Sequence, residues 1–207
     1  MPHCPNIFRI LITLAKAGDI ADIATIAALF LRRKMFIPQR LPELFYGKIP
    51  TDKVVRVASC ENPIVSIIIP VHNQWPFTHS CIYSLEHNTK DVPFEIILAD
   101  DASTDETADC DKLLIGVKTL RTNDNLGFLR TCNAAAREAK GQYLLFLNND
   151  TNVQKGWLTR LLELIENNPE IGVVGPKLIY PDGRLQEAGS IIWNDGSAWN
   201  YGKWDDP

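Results

Sequence analysis

The hydrophobic positions along the chain change period several times, and each change predicts an element. Ile7, Ile10, Leu11 and Leu14, then Ile20, Ile23, Ala27, Phe30 and Leu31, recur at helical spacing on either side of Gly18, which predicts a helical hairpin over residues 1–35. Residues 36–63 carry Pro38, Pro42, Pro50 and Pro63 with little periodicity and predict an irregular connector. From Ile64 onward short apolar runs alternate with helical stretches. Val65–Val71 predicts a strand, Phe77, Cys81, Ile82 and Leu85 a helix, and Phe94–Ala99 a second strand, together a βαβ unit with a right-handed crossover. Ser103 and Glu106, at capping-box spacing, predict a short helix; Val117–Leu120 predicts a third strand, and Leu129, Cys132, Asn133 and Ala136 one face of a further helix. A fourth strand at Tyr143–Leu147, a helix with Trp157, Leu158, Leu161, Leu162 and Ile165 on one face, and a strand Ile171–Val174 closed by Gly175 and Pro176 complete the alternation. Turn signals at Pro181-Asp182-Gly183 and Asn194-Asp195-Gly196 place an edge hairpin in the tail. The order implies an α/β domain over residues 64–207, with a mostly parallel sheet, helices on both faces and a helical segment in front.

Composition narrows this picture. With 207 residues, 45% hydrophobic and 22% charged, the chain has material for one core of ordinary size plus a short extra segment. A formal net charge of -4 supplies no basic field, so no nucleic-acid partner is expected. Five cysteines, an odd count without a CxxC pair, argue against a disulfide framework and for buried thiols in a reducing cytosol. Lys16, Asp19 and Asp22 interrupt the N-terminal apolar runs well short of the roughly 20 residues a membrane span needs, and no signal-peptide pattern is present, so the expected location is cytoplasmic. The helical hairpin is expected to pack on the rest of a longer protein. The other reading is peripheral association with the inner face of the membrane, with Arg32, Arg33 and Lys34 at the head groups.

In open parallel sheets ligands sit beyond the carboxyl ends of the strands. Three polar clusters fall there: Pro70-Val71-His72-Asn73, Asp100-Asp101-Ala102-Ser103 and Asn148-Asn149-Asp150-Thr151. Asp150, at a strand end between amide side chains, has the chemistry of a hard oxygen ligand for Mg²⁺ or Mn²⁺ carrying a diphosphate. Asp101 could accept the imide N–H of a uracil or thymine, with the backbone after Pro70 approaching the same ring. Each of these residues also has an ordinary reading as a turn former or cap, which is the favoured one for Asp100 taken alone. Ser103 and Asp105 read as caps, and His79 and His87 as surface groups, leaving His72 where a nucleotide would touch it. The turn PVHNQ has no glycine-rich cradle, which disfavours a dinucleotide-dependent oxidoreductase.

Taken together, SIIIPVHN at 66–73, LADDASTDET at 98–107, NDNLGF at 123–128 and LLFLNNDT at 144–151 resemble glycosyltransferase family 2 over about 64–207. The resemblance implies a GT-A, Rossmann-like fold that binds a nucleoside-diphosphate sugar and transfers the sugar with inversion to a glycan or lipid-linked glycan acceptor. It matches Asp101 to the position that contacts the nucleobase, with Pro70, His72 and Asn73 as the opposing wall and Asp100 beside it. Asp150 matches the last acid of the family's metal motif, which here reads Asn148-Asn149-Asp150 with asparagine at the first acidic position and Asn149 beside the nucleotide. Asn125, Gly127 and Arg130 fall in the family loop near the nucleotide, where Arg130 either meets a phosphate or is a solvated arginine at a helix start. The stretch 182–189, DGRLQEAG, is similar to the subgroup that builds bacterial surface polysaccharides, including rhamnosyltransferase-like members. In the family the catalytic base lies well downstream of the metal acid, so it is expected beyond Pro207 and the chain is expected to stop before the acceptor half. The rival expectation is a non-catalytic nucleotide-sugar-binding module.

Overall fold

The structure, a computed structural model, describes residues 42–58 and 60–204. The expected helical hairpin at 1–35 and the first part of the connector lie outside the described residues. Two compact units are present, Glu43–Pro176 and a second that contains the chain from Lys177 onward.

In the first unit the elements are β1 (Val55–Arg56), β2 (Val65–Val71), α1 (Trp75–Asn88), β3 (Phe94–Asp100), a 3-10 helix (Glu106–Lys112), β4 (Leu114–Ile115), β5 (Lys118–Arg121), α2 (Phe128–Ala136), β6 (Tyr143–Phe146) and α3 (Trp157–Glu166). Four strands pair in the order β5-β3-β2-β6, all parallel. The chain therefore starts at β2, steps outward to β3 and β5, and returns to the other side of β2 for β6. This reversal is the switch point at which open α/β sheets form a ligand crevice.

The sequence of β2, VSIIIPV, is apolar on both faces because both faces are covered. Ile67, Ile69, Ile96 and Leu98 join Ile82, Leu85 and Leu158 of α1 and α3 in one core cluster, while Ile68, Ile97 and Ala99 meet Ala135 of α2 in another. Each fully buried isoleucine or leucine contributes about 1.5–3 kcal/mol. A polar latch fixes the amino-terminal ends of these strands. The buried Ser66 hydroxyl donates to Glu95 Oε1 at 2.6 Å and accepts from the Gly141 N–H at 2.8 Å, and Glu95 Oε1 also accepts from the Lys140 N–H at 2.7 Å.

Several expectations need correction. Residues 171–174 form no strand: among the described residues no ladder pairs with this short run, which Gly172 interrupts. Residues 43–58, part of the expected irregular connector, pack into the first unit: β1 pairs with β4, and the loop before β1 is pinned by Trp75 Nε1–H to the Thr51 carbonyl at 3.0 Å and His79 Nε2–H to the Lys53 carbonyl at 2.7 Å. His79 is thus a buried, satisfied core histidine and not a surface group. The helix expected after Ser103 is a kinked 3-10 segment capped by Asp105, whose side chain accepts from the Thr107 N–H. The buried face of α2 is Thr131, Cys132 and Ala135, with Leu129 and Asn133 exposed.

In the second unit β7 (Leu178–Ile179) pairs antiparallel with β8 (Leu185–Glu187), and β9 (Ser190–Ile192) with β10 (Ala198–Asn200). Two hairpins stand where one was expected, each turning at one of the two foreseen signals. Among the described residues no helix is long and apolar enough to cross a membrane.

Candidate functional site

The carboxyl ends of β2, β3 and β5 are welded into one polar network. Asp100, 1% exposed, accepts from Arg121 Nη1 at 2.7 Å and from the Ser103 N–H at 2.9 Å, and Arg121 Nη2 reaches the Ser103 carbonyl at 2.5 Å. The Ser103 hydroxyl in turn accepts the Asn73 N–H at 2.7 Å. Asn73 Oδ1 accepts the Thr104 N–H at 2.7 Å and the Asp105 N–H at 3.2 Å, and Asp105 Oδ2 accepts the Trp75 N–H at 3.0 Å. The turn after β2 and the turn after β3 thus brace one another. Three non-glycine residues, Asn73, Gln74 and Ala102, adopt positive φ in these turns. Each such residue costs on the order of 1 kcal/mol and persists because the surrounding bonds over-determine it.

Asp101 closes a second latch. Its Oδ1 accepts the Leu126 N–H at 2.7 Å and the Thr122 hydroxyl at 3.2 Å, and its Oδ2 accepts the Gly127 N–H at 2.8 Å. Burial pushes this carboxyl up, but the Leu126 N–H, the Thr131 hydroxyl, the Gly127 N–H and the Thr122 hydroxyl outweigh it and hold Asp101 below the usual carboxylate range. Gly127, at φ +81°, is the residue from which α2 starts, so the carboxylate sits at the positive end of that helix. Asp105 plays the same part at α1: burial pushes it up, bonds from Thr107 and Trp75 pull it down, and the balance lies low. Both helix N-termini are therefore occupied by the protein's own carboxylates, with no open phosphate cradle at either.

His72 stands exposed above this network, its Nδ1–H donated to the Asp101 carbonyl at 2.7 Å. That bond places the Nδ1 hydrogen on the carbonyl side, and Nε2 faces Asn73 Nδ2 at 3.4 Å. Asn125 lies beside it, with Nδ2 3.5 Å from the ring, and its Oδ1 accepts from the Gly127 N–H at 3.2 Å. Pro70 pairs with Ala99 of β3, and by the alternation of a parallel strand its nitrogen faces β6. The β2–β6 ladder ends two residues earlier, at Ile68, whose carbonyl takes the Leu147 N–H at 2.9 Å. Lacking an N–H, Pro70 cannot extend that ladder, and the two strand ends part.

On the β6 side, Asn149 Nδ2 donates to Thr78 in the first turn of α1 at 3.0 Å, which leaves its Oδ1 as a free acceptor. The Thr151 hydroxyl closes the turn on the Asn148 carbonyl at 2.8 Å. Asp150 is exposed and makes no hydrogen bond or ion pair among the described residues. Behind it lies Cys81, whose thiol burial pushes up to about 12, with the Thr151 hydroxyl acting against and the Asp150 charge adding to the rise. Among the described residues no group of three or more His, Cys, Asp or Glu side chains is placed to hold a metal ion. A lone carboxylate suits a hard cation only if phosphate oxygens and water complete its shell, the usual way Mg²⁺ is held.

The candidate residues therefore divide. His72, Asn73, Asp100, Asp101, Asn125 and Gly127 join one network, while Asn149 and Asp150 stand across the gap, linked to it through α1. Arg130, at the start of α2, is exposed and makes no hydrogen bond or ion pair among the described residues. Sequence reasoning missed Arg121, although two adjacent strand-end carboxylates, one buried, call for a cation on the neighbouring strand.

The sequence has known relatives. The sequence model of glycosyl transferase family 2 matches residues 66–203. The chain belongs to that family. A family 2 chain of this kind is similar to an O-antigen biosynthesis protein, RfbC, of Myxococcus xanthus, at 33% identity over 153 residues, which are 72% of this chain and 12% of that protein. It is also similar to an uncharacterized protein, y4gI, of Sinorhizobium fredii, at 32% identity over 66% of this chain and 16% of that one. The chain thus spans 12% and 16% of the lengths of these two relatives. Among solved structures it resembles S. aureus TarS residues 1–349, with a TM-score of 0.45 and 26% identity over 51% of this chain and 33% of that one.

Proposed function

We propose that this chain is the donor-binding part of a glycosyltransferase that passes a sugar from a UDP- or dTDP-linked donor to a glycan or lipid-linked glycan, with inversion. The observation that carries the reading is Asp150, an exposed carboxylate without a protein partner among the described residues, at the end of β6 beside the switch-point gap. The nucleobase would lie against His72 and the Asp101 turn. Asp101 already takes the Leu126 and Gly127 N–H groups and the Thr122 hydroxyl, with the Thr131 hydroxyl against it, so a base N–H would share an oxygen with one of these donors. His72 offers its ring face, its Nε2 already facing Asn73 Nδ2 at 3.4 Å, and Asn125 an amide edge, so these groups select and orient a base rather than react. Asp150 and the Asn149 carbonyl oxygen would hold Mg²⁺ or Mn²⁺, which when bound neutralises the departing diphosphate. In the displacement the acceptor hydroxyl forms the new bond at the anomeric carbon as the bond to the diphosphate oxygen breaks. The hydroxyl proton goes to a base that no described residue is assigned to supply. The similarity to an O-antigen biosynthesis protein supports a surface polysaccharide as the product.

Calorimetric titration with UDP and dTDP, with and without Mn²⁺, tests the reading beside Asp150→Ala. Binding that strengthens with metal and loses that gain in the variant supports it. Binding of neither nucleotide overturns it, and metal-independent binding unaffected by the variant removes Asp150 from its role. Tight binding without turnover by the longest native chain would favour a binding module.

A further inference from the structure

The hairpin β9–β10 carries an unusual face. Its register sets Ile191 opposite Trp199, and the ladder is continued by the Trp193 N–H to the Ser197 carbonyl at 2.9 Å and the Tyr201 N–H to the Gly189 carbonyl at 2.8 Å. Since side chains alternate along a strand, Ile191, Trp193, Trp199 and Tyr201 share one side. All four are open to solvent, at 43%, 56%, 63% and 61% exposure. No ring–ring or cation–π contact among the described residues engages the three aromatic rings, in contrast to Tyr180 and Trp204 of the same unit, which stack on each other at 4.5 Å under the Arg184 guanidinium. A contiguous exposed aromatic patch of this kind marks a binding surface.

The composition of the patch decides among occupants. From Leu185 to Gly202 there is no Lys or Arg, so the hairpin itself offers no cation to an anionic lipid surface or a phosphate backbone. Ile191 is the sole aliphatic member of the face. Flat rings with polar groups at one end suit a pyranose, whose apolar C–H face stacks on an aromatic plane while its edge hydroxyls need acceptors. The hairpin tip supplies these: the Asn194 amide, and the Asp195 carboxylate, whose Oδ1 takes the Ser197 N–H at 2.9 Å and hydroxyl at 2.6 Å while Oδ2 stays open. Ser197 bonding holds this carboxylate below its usual range, so it remains an acceptor. Tyr201, Trp199 and Trp193 occupy three successive levels of the ladder, about 14 Å at the strand rise, which is room for more than one sugar ring.

We propose that this face is a glycan-binding platform that holds the acceptor saccharide. The acceptor role rests on the glycosyltransferase reading; glycan binding itself does not. The test titrates the chain with neutral tetrasaccharides built on glucose, N-acetylglucosamine or rhamnose, following tryptophan fluorescence and saturation-transfer NMR, beside Trp199→Ala, Trp193→Ala and Trp199→Phe. UDP affinity is measured in the same samples to report the fold and the donor site. The expected result is saturable saccharide binding, at least tenfold weaker in either alanine variant and largely kept in Trp199→Phe, with UDP affinity unchanged throughout. Absence of saccharide binding while UDP binds overturns the platform and leaves the donor reading intact. Saccharide binding without UDP binding upholds the platform and removes the acceptor role. Rings already shielded from acrylamide before saccharide is added, a concentration-dependent dimer lost in Trp199→Ala, or binding to phosphatidylcholine vesicles would each show another occupant and sink the proposal.

Discussion

Replacing Asp101 by asparagine changes one atom and removes a charge on which two backbone N–H groups converge. These groups meet different oxygens, Leu126 on Oδ1 and Gly127 on Oδ2, so either orientation of the asparagine amide points an N–H₂ at a backbone N–H. One charge-assisted hydrogen bond is lost, about 1.5–3 kcal/mol, and the interaction of the charge with the N-terminus of α2 adds about 0.3–1 kcal/mol. A loss of about 3 kcal/mol is expected at pH 7. For a unit of this size it registers as a fall in Tm of roughly 6–12 °C, read by circular dichroism with a urea midpoint as the independent check. The pH dependence carries the same signature. The folded pKa of Asp101 is lowered, so its contribution is complete above the unfolded value, near 3.9, and drains away as pH falls through the folded one. The stability difference between parent and Asp101→Asn should therefore narrow below about pH 4. A variant within about 0.5 kcal/mol of the parent at pH 7, or a difference that does not change with acid, would show that this carboxylate does not hold the 122–127 loop.

At the neighbouring strand end, Arg121→Ala strands the Asp100 carboxylate, and because the arginine is partly exposed the loss is expected at about 2 kcal/mol in urea unfolding, recovered in part by adding Asp100→Asn. Gly141→Ala would set a Cβ 2.5 Å from the Ser66 nitrogen, so a loss of at least about 1–3 kcal/mol is expected in the same assay. Among the described cysteines, Cys60 should react first with Ellman's reagent at pH 8, and Cys81, with its thiol near 12, only on unfolding.

The sequence by itself determined the sheet and its edge. VSIIIPV can be buried on both sides only in a parallel sheet with helices above and below, and polar residues directly after apolar runs had to gather at the carboxyl ends. The four motifs in order were enough to indicate the family. What periodicity does not contain is partnership between distant residues. That Asp101 spends its oxygens on Leu126 and Gly127, that Arg121 neutralises Asp100, and that His79 is consumed by the Lys53 carbonyl all depend on segments brought together across 21 to 26 positions of sequence. The strand foreseen at 171–174 failed for a related reason, since apolar character supplies a strand's tendency to be buried but only a neighbour supplies its hydrogen bonds. The aromatic face of the second unit was equally hidden: only the hairpin register puts Trp193 and Trp199 on one exposed side.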